Sequence, residues 1–339
     1  MLLARATLCA IIAAAVMFAV TSGGVDKTPD SLSYYSAADC LRSSDRLLSV
    51  DGRVFVYWPP VYPVLLAVAF SDNDRAARIV NVVSFALVVA SVVVLISWYS
   101  GSILSQFFGV ALLLVSSGSL RIGVMAWSEM SFTACVLLFL LFLRRYSLKE
   151  DLASLVGLIV FSACASMTRY IGVVTFLFGV LFLLEHRWLH PRHFKCFFFL
   201  APAPLAIWVL RNLVLCHHMF GMRGLSEFSV LHNVLELPAA VAYSLYPMSW
   251  ILGGSPVFSV AIVVLFSVVC IWLLWGLIQE SKALWLLCFV VVYTLSILVC
   301  TSAISIDHTN FRLMFPVWPA VVVLLSLSVD SRMKGVRGR

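Results

Sequence analysis

The chain has 339 residues, of which 62% are hydrophobic and 12% charged, with a net charge of +7 and a mean hydropathy of +1.04. Soluble domains carry about 25% charged residues, so this composition excludes an ordinary soluble globular protein. The basic residues cluster in short loops and near the C-terminal end, which is typical of membrane topology signals and argues against nucleic-acid binding. The 9 cysteines lie in apolar stretches without a Cys-x-x-Cys pair, which argues against a zinc site or a disulfide framework.

Recurring apolar runs are long enough to cross about 30 Å of hydrocarbon and predict an all-α, polytopic transmembrane helix bundle. The first run follows Arg5 and lacks a convincing small-residue cleavage site, which favours a retained signal-anchor helix over a signal peptide. About ten spans are expected from the length of these runs. They lie near residues 2–21, 76–98, 102–120, 124–143, 152–168, 170–184, 196–213, 256–278, 283–303 and 312–328.

Clusters of Lys and Arg between these runs predict the orientation. With ten spans they all fall on one side, which the positive-inside rule assigns to the cytoplasm together with both termini. The clusters are Arg144, Arg145 and Lys149; Arg187, Arg192 and Lys195; Lys282; and the tail residues Arg332, Lys334, Arg337 and Arg339.

The apolar segment from Val61 to Phe70 is too short to span, and three prolines crowd its start. If it crossed the membrane, every later basic loop would change sides. We therefore predict an interfacial or re-entrant helix over Trp58 to Phe70 on the extracytoplasmic face, where its aromatic residues suit the headgroup level. The stretch from Leu237 to Trp250 has the same character.

These features predict a single transmembrane domain over residues 1–339, with extracytoplasmic loops at 21–75 and 211–255 and a basic cytoplasmic tail at 329–339. Charged and ionisable side chains recur at the extracytoplasmic ends of the predicted spans. Carboxylates beside arginines suit a substrate with an anionic group and a hydroxyl to activate. The set comprises Asp30, Asp39, Glu129, Arg169, Arg211, Arg223, Asp307, His308 and Arg312.

Each of these residues also has a structural interpretation. Helical spacing puts Asp30, Tyr34 and Ala37 on one face, but an aspartate there is more simply a helix N-cap. Glu129 lies inside a predicted span, which favours a functional role over dipole stabilisation. Arg169 interrupts a long apolar stretch and predicts an outward turn, with phosphate binding and interfacial anchoring both open.

Arg211 near a helix end has a simple explanation in the helix dipole. His308 suits a general acid or base, although an exposed loop histidine is usually neither. The pair His217 and His218 fits solvent exposure better than metal binding.

Taken in order, several short motifs of this chain resemble the GT-C superfamily of membrane glycosyltransferases. The resemblance is to the branch of protein O-mannosyltransferases and lipid A aminoarabinose transferases, and it covers nearly the whole chain. The motifs are Asp30-x3-Tyr34, Trp58-Pro59-Pro60-Val-Tyr62-Pro63, Arg75-Ala-Ala-Arg78, Ser128-Glu129, Thr168-Arg169-Tyr170-Ile-Gly172, Trp208-x2-Arg211-Asn212, Gly221-x-Arg223 and Arg312-x3-Pro316-x2-Pro319.

The resemblance implies an inverting sugar transfer from a polyprenyl- or dolichyl-phosphate donor to a glycan, lipid or protein acceptor outside the cytoplasmic membrane, most naturally the bacterial inner membrane. It implies Asp30 and Glu129 as catalytic residues. It implies no cofactor or metal, with a divalent cation as the alternative. The residues implied in substrate binding are Tyr34, Arg169, Arg211, Arg223, His308 and Arg312.

One departure concerns the first acidic motif, in which Asp30 is followed by Ser31 rather than by the glutamate of the mannosyltransferases. This leaves the sugar and the acceptor open. Two other functions stay open as well. A transporter or flippase for a lipid-linked or anionic solute would show matched halves, and none is visible. A non-catalytic subunit of an envelope-assembly complex would keep the fold without the chemistry.

Overall fold

The computed structural model describes residues 1–43, 46–186, 190–245 and 283–337. The regular secondary structure of these ranges is helical, and backbone pairing between extended segments is limited within them to isolated bridges. The helices are α1 Leu2–Val20, α2 Pro29–Ser43, α3 Val61–Ala69, α4 Asn73–Tyr99, α5 Ile103–Val115, α6 Ser117–Gly123, α7 Glu129–Lys149, α8 Leu152–Thr168, α9 Val173–His186, α10 Pro191–Leu200, α11 Ala203–Cys216, α12 Val230–Leu245, α13 Leu284–Ala303, α14 Phe311–Met314 and α15 Trp318–Arg337. Short 3-10 turns at Tyr170–Gly172 and Phe315–Val317 precede α9 and α15.

Among the described residues, 6 helical segments are long and apolar enough to cross a membrane, counting α10 with α11 and α14 with α15 as one segment each, or 7 if the bent pair α5 and α6 also forms one span. The shorter helices α8 and α9 are also apolar. The predicted all-α polytopic membrane protein is thereby confirmed. The span predicted at 256–278 lies outside the described residues, as does the end of the aromatic stretch that closes at Trp250, so the total of ten spans stays a prediction.

The helix predicted near 102–120 is not continuous. It ends at Val115 and resumes at Ser117 with a bend of 54°. Ser116 has an extended backbone, and its Oγ accepts a hydrogen bond from the Ser119 amide at 3.1 Å and donates one to the carbonyl of Ser244. Serine hydroxyls compete with the helix for backbone groups, so this serine-rich stretch breaks the helix although its hydropathy predicts a span.

The described chain divides into two compact units, and the division falls inside α1 and α4. The first unit comprises residues 1–13, 86–122 and 225–339, and in it α5 packs against α15 while α12 packs against α13 and α14. The second unit comprises residues 14–85 and 123–224. Its frame is the pair α7 and α8, against which α9, α10 and α11 pack, and the loop between α1 and α4 contributes the packed pair α2 and α3.

Helix α3 confirms the short helix expected from sequence, since its 9 residues are too few to span. Arg42 of α2 fixes the C-terminal end of α3 by donating to the Leu66 carbonyl at 2.7 Å and the Ala67 carbonyl at 3.3 Å. The same guanidinium reaches Asn73 Oδ1 at 2.8 Å, at the start of α4. A cation that binds the last carbonyls of a helix also complements its dipole, so α2, α3 and α4 are held together at one point.

The basic loops of the second unit lie near the end of α7 and the start of α8. Asp151 caps α8 by accepting from the Ser154 amide at 2.7 Å, and hydrogen bonds from Ser154 lower the pKa of Asp151 to about 2. The His190 Nε2 atom lies 2.7 Å from Glu150 Oε2. The basic residues at the end of α7 and those at the start of α10 thus lie at one end of this unit, as the positive-inside argument requires, while the assignment of that end to the cytoplasm stays a prediction.

Candidate active site

The start of α2 is attached to the start of α7 by backbone pairing in the second unit. The Asp26 amide donates to the Val124 carbonyl at 2.7 Å, and the Ala126 amide donates to the Asp26 carbonyl at 2.9 Å. The Trp127 indole N–H also donates to Thr28 Oγ1 at 2.8 Å. These bonds bring the two chain segments that carry the predicted acidic residues to the same end of the unit.

Asp30 lies inside the first turn of α2, which begins at Pro29, and is therefore not its N-cap. That function falls to Thr28 and Ser31, because the Thr28 amide donates to Ser31 Oγ at 3.1 Å as in a capping box. The Asp30 side chain is half-buried, and its charge acts on Tyr34 and on Arg223. A carboxylate at this position is stabilised by the helix dipole, while its side chain stays accessible to a ligand.

Glu129 and Arg169 form a buried ion pair. Arg169 Nη1 lies 2.5 Å from Glu129 Oε1, and the two side chains are 15% and 1% exposed. Arg169 has an extended backbone where α8 ends, which confirms the turn that the sequence predicts there. Because removing two charges from water is costly, such a pair persists only with good geometry and further hydrogen bonds.

Ser128 provides one of those further hydrogen bonds. Its hydroxyl accepts from Arg169 Nη1 at 3.3 Å and lies 3.1 Å from the Tyr34 hydroxyl. Tyr34 is fully buried, with its ring 5.0 Å from that of Tyr62 and 5.3 Å from that of Trp58. Burial raises the pKa of Tyr34, so the phenol is neutral and lies within the wall of the site rather than on its surface. Its predicted contact with substrate stays a prediction.

Three consecutive backbone carbonyls are held by three different side chains. Arg211 Nη1 donates to the Phe55 carbonyl at 3.0 Å, the Tyr170 hydroxyl to Val56 at 2.6 Å, and Arg223 Nη2 to Tyr57 at 3.0 Å. The sequence interpretation missed this arrangement. The available signal was the pair of prolines after Trp58, because an irregular segment before them leaves backbone groups that need partners.

The guanidinium of Arg223 is affected by the charges of both Arg169 and Asp30. Burial lowers the pKa of Arg223, and the nearby charge of Arg169 lowers it further. The Arg211 guanidinium lies over the Trp208 ring at 4.4 Å. Guanidinium groups so arranged attract an anion, and their planar forks match the geometry of phosphate oxygens.

The second unit thus brings most of the predicted site residues to one end, namely Asp30, Tyr34, Glu129, Arg169, Arg211 and Arg223. His308 and Arg312 belong to the first unit. There the ring of His308 lies 5.4 Å from that of Phe228, and Arg312 Nη1 lies 3.9 Å from Asp307 Oδ2. Within the described ranges, no group of three or more His, Cys, Asp or Glu side chains could hold a metal ion, and independence from metal stays a prediction.

Comparison with known proteins identifies the fold. No protein-family model matches the chain, and no curated protein matches it at a significant level. The chain is similar to the solved structure of ArnT from Cupriavidus metallidurans bound to undecaprenyl phosphate, with a TM-score of 0.69 and 15% identity over 98% of this chain and 62% of that one. The apo state of the same protein gives a TM-score of 0.68 and 16% identity over 97% and 61%.

The chain therefore spans less than two thirds of the length of the ArnT chains that it matches. ArnT is an aminoarabinose transferase of the GT-C type, which is the fold that the motifs of this sequence predicted. The helices are thus arranged as in a known architecture, and the chain has the GT-C fold of the polytopic membrane glycosyltransferases.

Proposed function

We propose that this protein is a glycosyltransferase of the extracytoplasmic membrane face. It transfers a sugar from a polyprenyl-phosphate donor to a glycan, lipid or protein acceptor, with inversion at the anomeric carbon. The observation that carries the proposal is the half-buried Asp30 carboxylate, whose charge acts on the same Arg223 guanidinium as the charge of Arg169. The ArnT structure bound to undecaprenyl phosphate supports a lipid phosphate as the anionic part of the ligand.

Asp30 is the general base in this proposal. Its carboxylate takes the proton of the acceptor hydroxyl, whose oxygen forms a bond to the anomeric carbon as the bond from that carbon to the phosphate oxygen breaks. The electron pair leaves with the polyprenyl phosphate. Positioned proton transfer of this kind contributes rate factors of about 100 to 10,000.

The arginines stabilise the departing phosphate. Arg169, Arg211 and Arg223 present cationic donors where negative charge develops, and donors that are already oriented need no rearrangement during the reaction. Because these guanidiniums supply positive charge themselves, we propose a reaction without a metal or other cofactor.

Glu129 serves the same reaction through Arg169. Its Oε1 atom is bound to Arg169 at 2.5 Å, and its side chain is only 1% exposed, so it is poorly placed to meet an acceptor from solution. We assign to it the orientation of the Arg169 guanidinium.

The proposed location is the bacterial inner membrane, with membrane lipids around the bundle.

Substitution of the base tests the proposal. Asp30→Asn keeps the size and polarity of the side chain but removes the proton acceptor, so we expect transfer in proteoliposomes to fall at least about 100-fold. The assay supplies polyprenyl-phosphate sugars and measures polyprenyl phosphate released. Asp51→Asn is the matched control, since Asp51 lies in the same extracytoplasmic loop and is half exposed. Transfer by Asp30→Asn at the rate of the control would contradict the role of Asp30.

A further inference from the structure

The segment Phe55–Tyr57 is held from three elements of the second unit. Tyr170 lies in the turn after α8, Arg211 lies on α11, and Arg223 lies in the loop that follows α11. Each donates to one carbonyl of the segment: Arg211 to Phe55, Tyr170 to Val56 and Arg223 to Tyr57. We call these three side chains the carbonyl clasp.

The Tyr170 hydroxyl is the centre of the clasp. It donates to the Val56 carbonyl at 2.6 Å and accepts from Trp208 Nε1 and from Asn212 Nδ2, each at 3.1 Å. A phenol has one donor and limited acceptor capacity, so this hydroxyl is fully used. Asn212 is itself fully buried and also donates to the Met219 carbonyl at 3.0 Å. The Tyr170 oxygen therefore links α11 to the segment Phe55–Tyr57, and Asn212 links α11 to the loop that follows it.

The side chains of the held segment form part of the site. Phe55 is fully buried, with its ring 6.3 Å from that of Tyr34 and 6.0 Å from that of Trp58. Tyr34 lies one helical turn after Asp30 on α2. The position of the three carbonyls thus sets the aromatic wall against which the helix that carries Asp30 packs.

The two arginines of the clasp keep donor capacity for a ligand. Their bonds to backbone involve Nη1 of Arg211 and the Nε and Nη2 atoms of Arg223, which donate to the Phe55, Phe220 and Tyr57 carbonyls. A guanidinium has five N–H donors, so it can hold a carbonyl and an anion together. Ordering of the segment then favours binding of the anion, and by linkage the anion favours ordering of the segment.

We propose that Tyr170 is a positioning residue that couples the order of Phe55–Tyr57 to the affinity of the site for a lipid phosphate. The ligand part rests on the proposed function, whereas the clasp itself does not. Tyr170 acts in this proposal through Val56 and the two arginines, without a contact of its own to the phosphate.

Tyr170→Phe tests the proposal because it removes only the hydroxyl. In the ligand-free protein we expect faster hydrogen exchange in peptides covering residues 53–58. We expect about tenfold weaker binding of undecaprenyl phosphate, which corresponds to about 1.4 kcal/mol. Tyr146→Phe is the matched control, since Tyr146 is also buried and its hydroxyl bonds to His193 at 2.9 Å at the opposite end of the unit. The control should leave both quantities unchanged.

Measurements on the wild-type protein keep the proposal testable if Tyr170→Phe does not fold. Saturating undecaprenyl phosphate should slow exchange in peptides 53–58, and unchanged exchange on binding would overturn the coupling. Unchanged exchange in folded Tyr170→Phe would overturn the clasp, and faster exchange with unchanged affinity would overturn the positioning role. If the wild-type protein does not bind undecaprenyl phosphate, the proposed function and the coupling both fail, while faster exchange in Tyr170→Phe would still support the clasp.

Discussion

Ser128 occupies the N-cap position of α7, yet its hydroxyl makes no capping hydrogen bond. It bonds instead to Arg169 and to Tyr34, which come from two other segments of the chain. Serine is favoured at N-caps because its oxygen accepts a hydrogen bond from a helix amide. The start of α7 lacks this stabilising bond. In return, the Glu129–Arg169 pair and α2 share one hydrogen-bond network, and the polar groups of the site are oriented before a ligand arrives.

Removal of the negative charge from Glu129 should destabilise the protein. Glu129→Gln keeps the volume of the side chain but leaves the Arg169 guanidinium without its ion pair at a site where only 15% of that side chain is exposed. Breaking a buried pair on one side costs about 3 kcal/mol or more, because an uncompensated charge stays behind. Thermal unfolding of the purified protein in detergent measures the effect.

The control for Glu129→Gln is an exposed pair. Asp51 and Arg53 lie 3.5 Å apart with 50% and 68% of their side chains exposed. Surface pairs contribute about 0 to 1 kcal/mol, so Asp51→Asn should shift the unfolding temperature little. Equal shifts for the two variants would show that the Glu129–Arg169 pair contributes no more than a surface pair.

At the residue scale, the sequence predicted a single set of charged groups, of which Asp307, His308 and Arg312 belong instead to the first unit, and it did not predict what the groups bind. Counting spans brought Asp30, Glu129 and Arg169 to one face without any knowledge of tertiary structure. The partners of Arg211 and Arg223 were not predictable, because a backbone carbonyl carries no sequence signature. His308 and Arg312 belong to the first unit, and their predicted part in substrate binding stays a prediction.

At the scale of elements, the turn between α8 and α9 positions both Arg169 and Tyr170. Gly172 ends this turn and is buried. A Cβ atom at Gly172 would collide with the backbone of Ala165 and would lie 2.5 Å from the Ser166 amide nitrogen. Backbone atoms cannot move aside as a flexible side chain can, so the tight return of the chain toward α9 requires glycine at this position.

Gly172→Ala should therefore open the turn. Overpacking a well-packed position costs about 1 to 3 kcal/mol, and here the shift must also displace Tyr170 from the Val56 carbonyl. We expect a lower unfolding temperature together with faster hydrogen exchange in peptides 53–58. Gly23→Ala is the control, because nothing lies within 4 Å of a Cβ atom there. Wild-type stability of Gly172→Ala would contradict the close approach of α8 to this turn.

Element types were predictable where hydropathy and proline placement decide them. The short helix α3 and the turn at Arg169 follow from segment length and from a charge inside an apolar run. The break between α5 and α6 was not predicted, because average hydropathy does not register serine hydroxyls that bond to the backbone of α12. The interpretation of Asp30 as an N-cap was wrong for a related reason, since Thr28 and Ser31 start the helix earlier.

At the scale of the whole molecule, the membrane fold follows from composition and span length, and the GT-C architecture follows from the order of weak motifs. Each motif alone is common, but their succession along the chain is more specific. The likeness to ArnT confirms the architecture at 15% identity, a level at which the sugar, the acceptor and the residue roles are not inherited. Those depend on contacts to the sugar hydroxyls and on proton transfer at the site.

Turnover by the wild-type protein tests the central claim most directly. The purified protein is reconstituted into proteoliposomes with a panel of polyprenyl-phosphate sugars and membrane acceptors, and mass spectrometry follows free polyprenyl phosphate and glycosylated product. We predict release of polyprenyl phosphate in step with product, with the anomeric configuration of the product inverted relative to the donor. Binding of these donors without turnover of any of them would contradict a glycosyltransferase and favour a non-catalytic protein with the same fold.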